Sequence, residues 1–315
     1  MPSSNETDAL YSLQRQLNVL SDQVEQTKIL VVQPMVREFR NLKSAIPLVQ
    51  AEFRVFSQFG DDGIIQYIIS QLALPDTEQR FIEFGIENYR EANTRFLLLN
   101  DNWSGLVMDG SEDYISCIRR EQIYWRHDLT ALARFVTREN IDSIIQEAGF
   151  SGRIGILSID VDGNDYWIWK AITSADPAVV IAEYNGIFGA REAVTIPYQA
   201  NFLRQNVHYS YLYWGASLGA LAHLAAEKGY VWIGCNSAGN NAYFVRNEYA
   251  GLFHRPALPK DFVAAKFREG RDEEGNLNYI GQEEGFPLIR DLPVWDVCRN
   301  EMRLVDELLR AGTDS

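Results

Sequence analysis

The chain has 315 residues, 46% of them apolar and 23% charged, a globular composition that excludes disordered and fibrous classes over most of its length. Its 29 Lys and Arg stand against 43 Asp and Glu, a net charge of −14, so a nucleic-acid partner, which draws its affinity from clustered cations, is not expected. No run is long and apolar enough to span a bilayer, and the start (MPSSNETDAL) has neither a basic stretch nor an apolar core. Cys117, Cys235 and Cys298 are far apart and not in metal-ligand spacing; they are read as reduced thiols of a cytoplasmic protein.

In the first segment, 1–47, Leu10, Leu13, Leu17, Leu20, Val24 and Val31 fall at alternating three- and four-residue steps, with Thr27 between the last two. The spacing makes a narrow apolar seam on one helix. Two readings stand: a short coiled coil that makes a homo-oligomer, or a helix packed on its own domain. Pro34 and Pro47 are expected to break the pattern before the main domain, 48–250. Ile64–Leu72 reads as a helix. From residue 80 strands and helices alternate: strand Arg80–Phe84, helix Glu91–Asn100, strand Leu106–Asp109, helix Glu112–Glu121, a weaker strand Ile123–Trp125, and helix Thr137–Ala148. Strand Ile154–Ile159, helix Tyr166–Ile172 and strand Ala178–Ala182 follow. Such alternation implies a parallel sheet covered on both faces.

After a helix over Leu218–Lys228, strands Tyr230–Cys235 and Ala242–Arg246 are separated by about six residues, too few for a parallel crossover, so they form an antiparallel hairpin. The linker 186–216 is long and aromatic, with Tyr198, Phe202, His208, Tyr211 and Trp214 among its residues, and it leaves the carboxyl edge of the sheet, where ligands bind. The tail, 251–315, reads as an appendage ending in an amphipathic helix over Val294–Leu309.

Candidate chemistry sits at the strand ends. Gly85, after the first strand, lets the chain turn next to a ligand or simply turn; Glu87 and Tyr89 stand where a pyrophosphate loop would carry more glycines. Asp109-Gly110, 24 residues further on, suits ribose hydroxyls, or a helix cap. Asp128 suits an adenine amino group, or again a cap. The run Asp160-Val161-Asp162-Gly163-Asn164-Asp165 follows a buried strand, and its glycine is two places too early for an EF-hand loop. Asp160 or Asp162 with Glu183 and Asn185 makes an all-oxygen set suited to Mg²⁺; alternatively Asp162 and Asn164 cap the next helix and Glu183 pairs with a cation. His208 is a candidate general base or substrate contact, whereas His127, His223 and His254 suit surface or packing roles. Residues 57–63 read as a turn and cap, or as a segment over the ligand edge.

Together, SQFGDDGI (57–64), FIEFGIENYREANTRFLL (81–98), GLVMDGSE (105–112), ILSIDVDGNDYWIWKAI (156–172), VVIAEYN (179–185) and GYVWIGCNSAGNNAYFVRN (229–247) resemble the class I S-adenosylmethionine-dependent methyltransferases of the FkbM-like group. The resemblance implies a Rossmann-like α/β fold, with a mostly parallel seven-stranded sheet closed by an antiparallel hairpin. It implies donor contacts at Glu83, Gly85, Asp109 and Asp128, and a catalytic or substrate-facing role for Asp160. It maps a Mg²⁺ site onto Asp160, Glu183 and Asn185. The activity it implies is methylation of a hydroxyl on a sugar or glycan precursor. A nicotinamide-dependent oxidoreductase and a non-catalytic assembly protein are the rival readings; the missing glycines and the terminal hairpin count against the first.

Overall fold

The computed structural model describes residues 4–266 and 268–310. Helix α1 (Ser4–Phe39) runs through Pro34, where a break was expected. Its last turns are held by Val32, Val36 and Phe39, buried on one face against the domain, and that burial outweighs the single hydrogen bond a proline removes. Helix α2 (Asp61–Leu72) packs beside it.

Seven strands then build the main sheet: β1 (Arg80–Phe84), β2 (Ser104–Asp109), β3 (Leu129–Ala133), β4 (Gly152–Ile159), β5 (Ala175–Glu183) and, after the linker, the hairpin Tyr230–Cys235 with Asn241–Arg246. Helices α3 (Arg95–Asn100), α4 (Glu112–Arg120), α5 (Gln122–Arg126), α6 (Ile141–Glu147) and α7 (Asp165–Ala171) alternate with them. A two-residue strand β6 (Val194–Thr195) and helices α8 (Arg204–Val207) and α9 (Leu218–Glu227) precede the hairpin, whose strands are β7 and β8. The order is β3-β2-β1-β4-β5-β8-β7, with β1 to β5 parallel and β8 antiparallel to both β5 and β7. This is the seven-stranded Rossmann-like sheet with a terminal hairpin that the sequence led us to expect.

Alternation along each strand feeds two separate cores. Ile82, Phe84, Leu106, Met108, Leu157 and Ile159 face α6, α7 and α9. Phe81, Val107, Ile156, Val179 and Ile181 face α2, α3 and α4. With both faces covered, β4 and β5 read as nearly continuous apolar runs.

Two expected elements differ. Ile123–Trp125 lies in α5, and the third strand is Leu129–Ala133, six residues later. Ile123 is buried while Trp125 is 67% exposed, a one-sided pattern that one turn of helix satisfies and a buried strand does not. The expected helix over Val294–Leu309 is instead β9 (Pro293–Asp296), β10 (Glu301–Leu304) and a short helix Val305–Arg310. β9 pairs with β10 and with β6 of the linker, making a second, three-stranded antiparallel sheet. Its apolar cluster takes in Phe188, Phe202, Tyr213 and Trp214 with Val294 and Val305, so much of the aromatic linker builds its own core.

Candidate active site

The carboxyl ends of β1, β2, β4 and β5 open into one cleft of about 780 Å³, within the usual range for a cofactor or substrate pocket. Gly85, just past β1, has φ +69°, and a Cβ there would lie 1.7 Å from the carbonyl oxygen of Asp160. The glycine is therefore required by the close approach of the β1 and β4 ends as well as by the turn. Glu87 and Tyr89 also hold positive φ (46° and 60°), rare for residues with a side chain. Cross-links hold that loop in place of further glycines. Asp109 Oδ2 accepts from the Glu87 N–H (2.9 Å), the Tyr89 hydroxyl pairs with Thr94 Oγ1 (3.0 Å), and Arg95 donates to the Tyr89 carbonyl (3.0 Å).

Asp109 ends β2, and its Oδ1 accepts from the Ser111 N–H (2.8 Å). Each carboxylate oxygen thus takes one backbone donor and keeps lone pairs for a ligand in the cleft it lines. Glu83 is spent differently. It accepts from the N–H groups of Asn93 (2.8 Å) and Thr94 (3.0 Å) and from the Thr94 hydroxyl, which fixes the turn into α3. Burial pushes its carboxyl above the ordinary range against those bonds.

Asp160, Asp162 and Glu183 bring one carboxylate oxygen each to within 4.8 Å of one another. Burial, and then the charges of the neighbouring carboxylates, push both Asp160 and Glu183 well above the usual range. Asp165, at the head of α7, accepts from the Val161 and Gly163 N–H groups (3.0 Å each) and so ties down the loop that carries Asp162; burial pushes it up to about 6. Asp162, at φ +53°, pairs with Arg204 (3.3 Å), which also meets Glu269 (2.7 Å).

The lining is strongly acidic. Glu83, Glu87, Glu91, Asp109, Asp160, Asp162, Glu183 and Glu269 face it, against Arg204 and Arg271. Such a cleft favours a cationic ligand and repels a pyrophosphate.

The structure brings Glu83, Gly85, Asp109, Gly110, Asp160 and Glu183 together, and Gln58 of the 57–63 segment joins them. It does not bring Asp128, His208 or Asn185. Asp128 precedes β3, at the amino edge of the sheet, and accepts from Ser104 (2.6 Å); the displaced third strand is the reason. His208 bonds Ser210 Oγ through Nδ1 (2.7 Å) and packs against Tyr209. The Asn185 amide donates to the Leu212 and Trp214 carbonyls (2.9 Å each) and accepts from the Ile187 N–H (3.0 Å), so it closes a buried turn and does not line the cleft. Asp162 takes its place in the acidic set. Arg204, Glu269 and Arg271 were missed; they come from the linker and tail, and no motif marks them. The Arg271 guanidinium lies over the Tyr211 ring (5.6 Å), with its Nε buried and unpartnered.

No protein-family model matches the sequence, and no curated protein matches it. Among solved structures the chain is similar to the N-terminal domain of EvdMO1 with SAH bound, at 11% identity and a TM-score of 0.38, over 68% of this chain and 94% of that one. It is also similar to the same domain in the presence of SAH and D-fucose, at 12% identity and a TM-score of 0.37, over 68% and 93%. Likenesses this loose carry no inference about chemistry here.

Proposed function

We propose that the protein is an S-adenosylmethionine-dependent methyltransferase acting on a hydroxyl, with a sugar or glycan precursor as acceptor. The observation that carries this reading is the acidic cleft at the carboxyl edge of a 3-2-1-4-5-8-7 sheet, with Asp109 at the end of β2. The sequence resemblance described above agrees with it. A sulfonium is cationic and phosphate-free, so the glycine-poor first loop and the eight lining carboxylates suit it, whereas both disfavour a nicotinamide dinucleotide.

The donor supplies a methyl carbon already activated for displacement by an oxygen nucleophile. Asp109 is placed to accept from a ribose diol through its free lone pairs. Burial and mutual repulsion make the Asp160 and Glu183 carboxylates more basic than ordinary ones, and a more basic carboxylate is the better general base. In this reading the ionised carboxylate takes the acceptor's proton as the C–O bond forms, and the C–S bond breaks with its electron pair left on sulfur. Phe202 and Tyr211 line the same cleft, an apolar border beside its carboxylates. Where a divalent cation binds, Asp160, Asp162 and Glu183 are the oxygen donors that would hold it, and it would lower the pKa of a bound hydroxyl.

Calorimetry with S-adenosylhomocysteine and NAD in parallel tests the proposal. Binding of S-adenosylhomocysteine alone is expected; binding of NAD alone would replace the reading with the oxidoreductase, and binding of neither would favour a non-catalytic role.

A further inference from the structure

Helix α1 carries two apolar stripes, and the domain uses one. Glu25, Ile29, Val32, Val36 and Phe39 turn toward the body, where Glu25 pairs with Arg95 (3.0 Å) and Val32 and Val36 pack with Val55, Phe56 and Phe96. Roughly a third of a turn round the helix, at 3.6 residues per turn, lie Leu13, Leu17, Leu20, Val24 and Val31. These five are between 48% and 69% exposed. Every described side chain from 12 to 20 is exposed as well. A helix without a packed face is marginal in water.

We propose that the seam is covered by the α1 helix of a second copy of this chain, in a parallel two-stranded coiled coil. With Leu17, Val24 and Val31 at the a positions and Leu13, Leu20 and Thr27 at d, the register runs without a skip. Val24 and Val31 at a with Leu13 and Leu20 at d follow the β-branched a, leucine d pattern that favours two parallel strands, from which Leu17 and Thr27 depart. The flanks decide which partner fits. The e and g positions hold Gln14, Gln16, Ser21, Gln23, Lys28 and Leu30; the one charged residue among them, Lys28, donates to the Val55 carbonyl of its own domain (3.1 Å). A chain of net charge −14 would otherwise repel its own copy, yet it keeps carboxylates off both edges of the seam. A partner recognised by charge would need the opposite arrangement, and a lipid surface would need a cationic polar face, whereas Asp22 and Glu25 stand outside this seam. The inference does not depend on what the cleft binds.

Sedimentation equilibrium on the full chain tests it. Twice the chain mass is expected for the wild type and the chain mass for the Leu17→Glu/Leu20→Glu variant, with S-adenosylhomocysteine calorimetry the same for both. Both side chains are more than half exposed in the single chain, so their replacement leaves the domain folded. A monomeric wild type, an assembly larger than two, or a variant that remains dimeric would each overturn the proposal. Orientation is read from Leu20→Cys in a background where the exposed Cys117 and Cys298 are serine: oxidation should link the two copies, and a dimer that fails to cross-link is not parallel.

Discussion

Replacing Asp160 by asparagine should make the protein more stable and less active, and the two effects come from one cause. Asp160 and Glu183 hold carboxylate oxygens within 4.8 Å of each other, where two full charges repel by about 3 kcal/mol at an effective dielectric constant near 20. Part of that is relieved, because the upward shift of both carboxyls favours the neutral form over a second charge. The gain from a neutral, isosteric side chain is thus about 1–2 kcal/mol near pH 7.5, or a Tm rise of roughly 2–6 °C. The sign with pH follows from the direction of the shifts. A carboxyl raised in the folded state weakens the fold as pH climbs above the unfolded value of about 4, so the advantage of Asp160→Asn should be larger at pH 7.5 than at pH 4.5. Differential scanning calorimetry at the two pH values reads this directly, while S-adenosylhomocysteine affinity should stay within about threefold, since a change that small is below 1 kcal/mol. A variant that is less stable than wild type by the same amount at both pH values would refute the charge-repulsion reasoning and, with it, the raised basicity assigned to the pair.

Other substitutions separate ligand-facing residues from structural ones. Asp109→Ala should weaken S-adenosylhomocysteine at least about tenfold by calorimetry, the loss of ~1.4 kcal/mol or more that a charged hydrogen-bond acceptor represents. His208→Ala, away from the cleft, should leave that affinity unchanged within about twofold, below 0.5 kcal/mol. Asp62→Ala should remove about 2–4 kcal/mol of stability and lower the urea midpoint with it, because Asp62 Oδ2 accepts from the Val55, Phe56 and Ser57 N–H groups (2.8 Å each) and from the Ser57 hydroxyl (2.7 Å); urea unfolding followed by circular dichroism measures it.

The sheet was legible because its physics is local. The runs of β4 and β5 are apolar on both faces, and the link between β7 and β8 is too short for anything but a hairpin. What sequence could not supply was register over distance. β6 and β9 meet about a hundred residues apart in the chain, so neither the second sheet nor the arrival of Glu269 and Arg271 at the cleft left a local trace. The third strand was misread because Ile123, Tyr124 and Trp125 are apolar and aromatic, while Leu129–Ala133 is short and largely alanine and leucine; that slip carried Asp128 to the wrong edge of the sheet. Asn185 was read by residue type as a ligand, but its amide closes a turn with carbonyls 27 and 29 residues away. Gly85 makes the turn after β1, and the backbone of Asp160 is part of what demands a glycine there.

The most direct measurement is a crystal structure of the wild-type chain grown with S-adenosylhomocysteine. The nucleoside should lie against the turn at Gly85, its ribose hydroxyls within hydrogen-bonding distance of Asp109 and its sulfur facing the Asp160–Glu183 pair. A ligand bound anywhere else, or a cleft that stays empty at saturating concentration, would contradict the account.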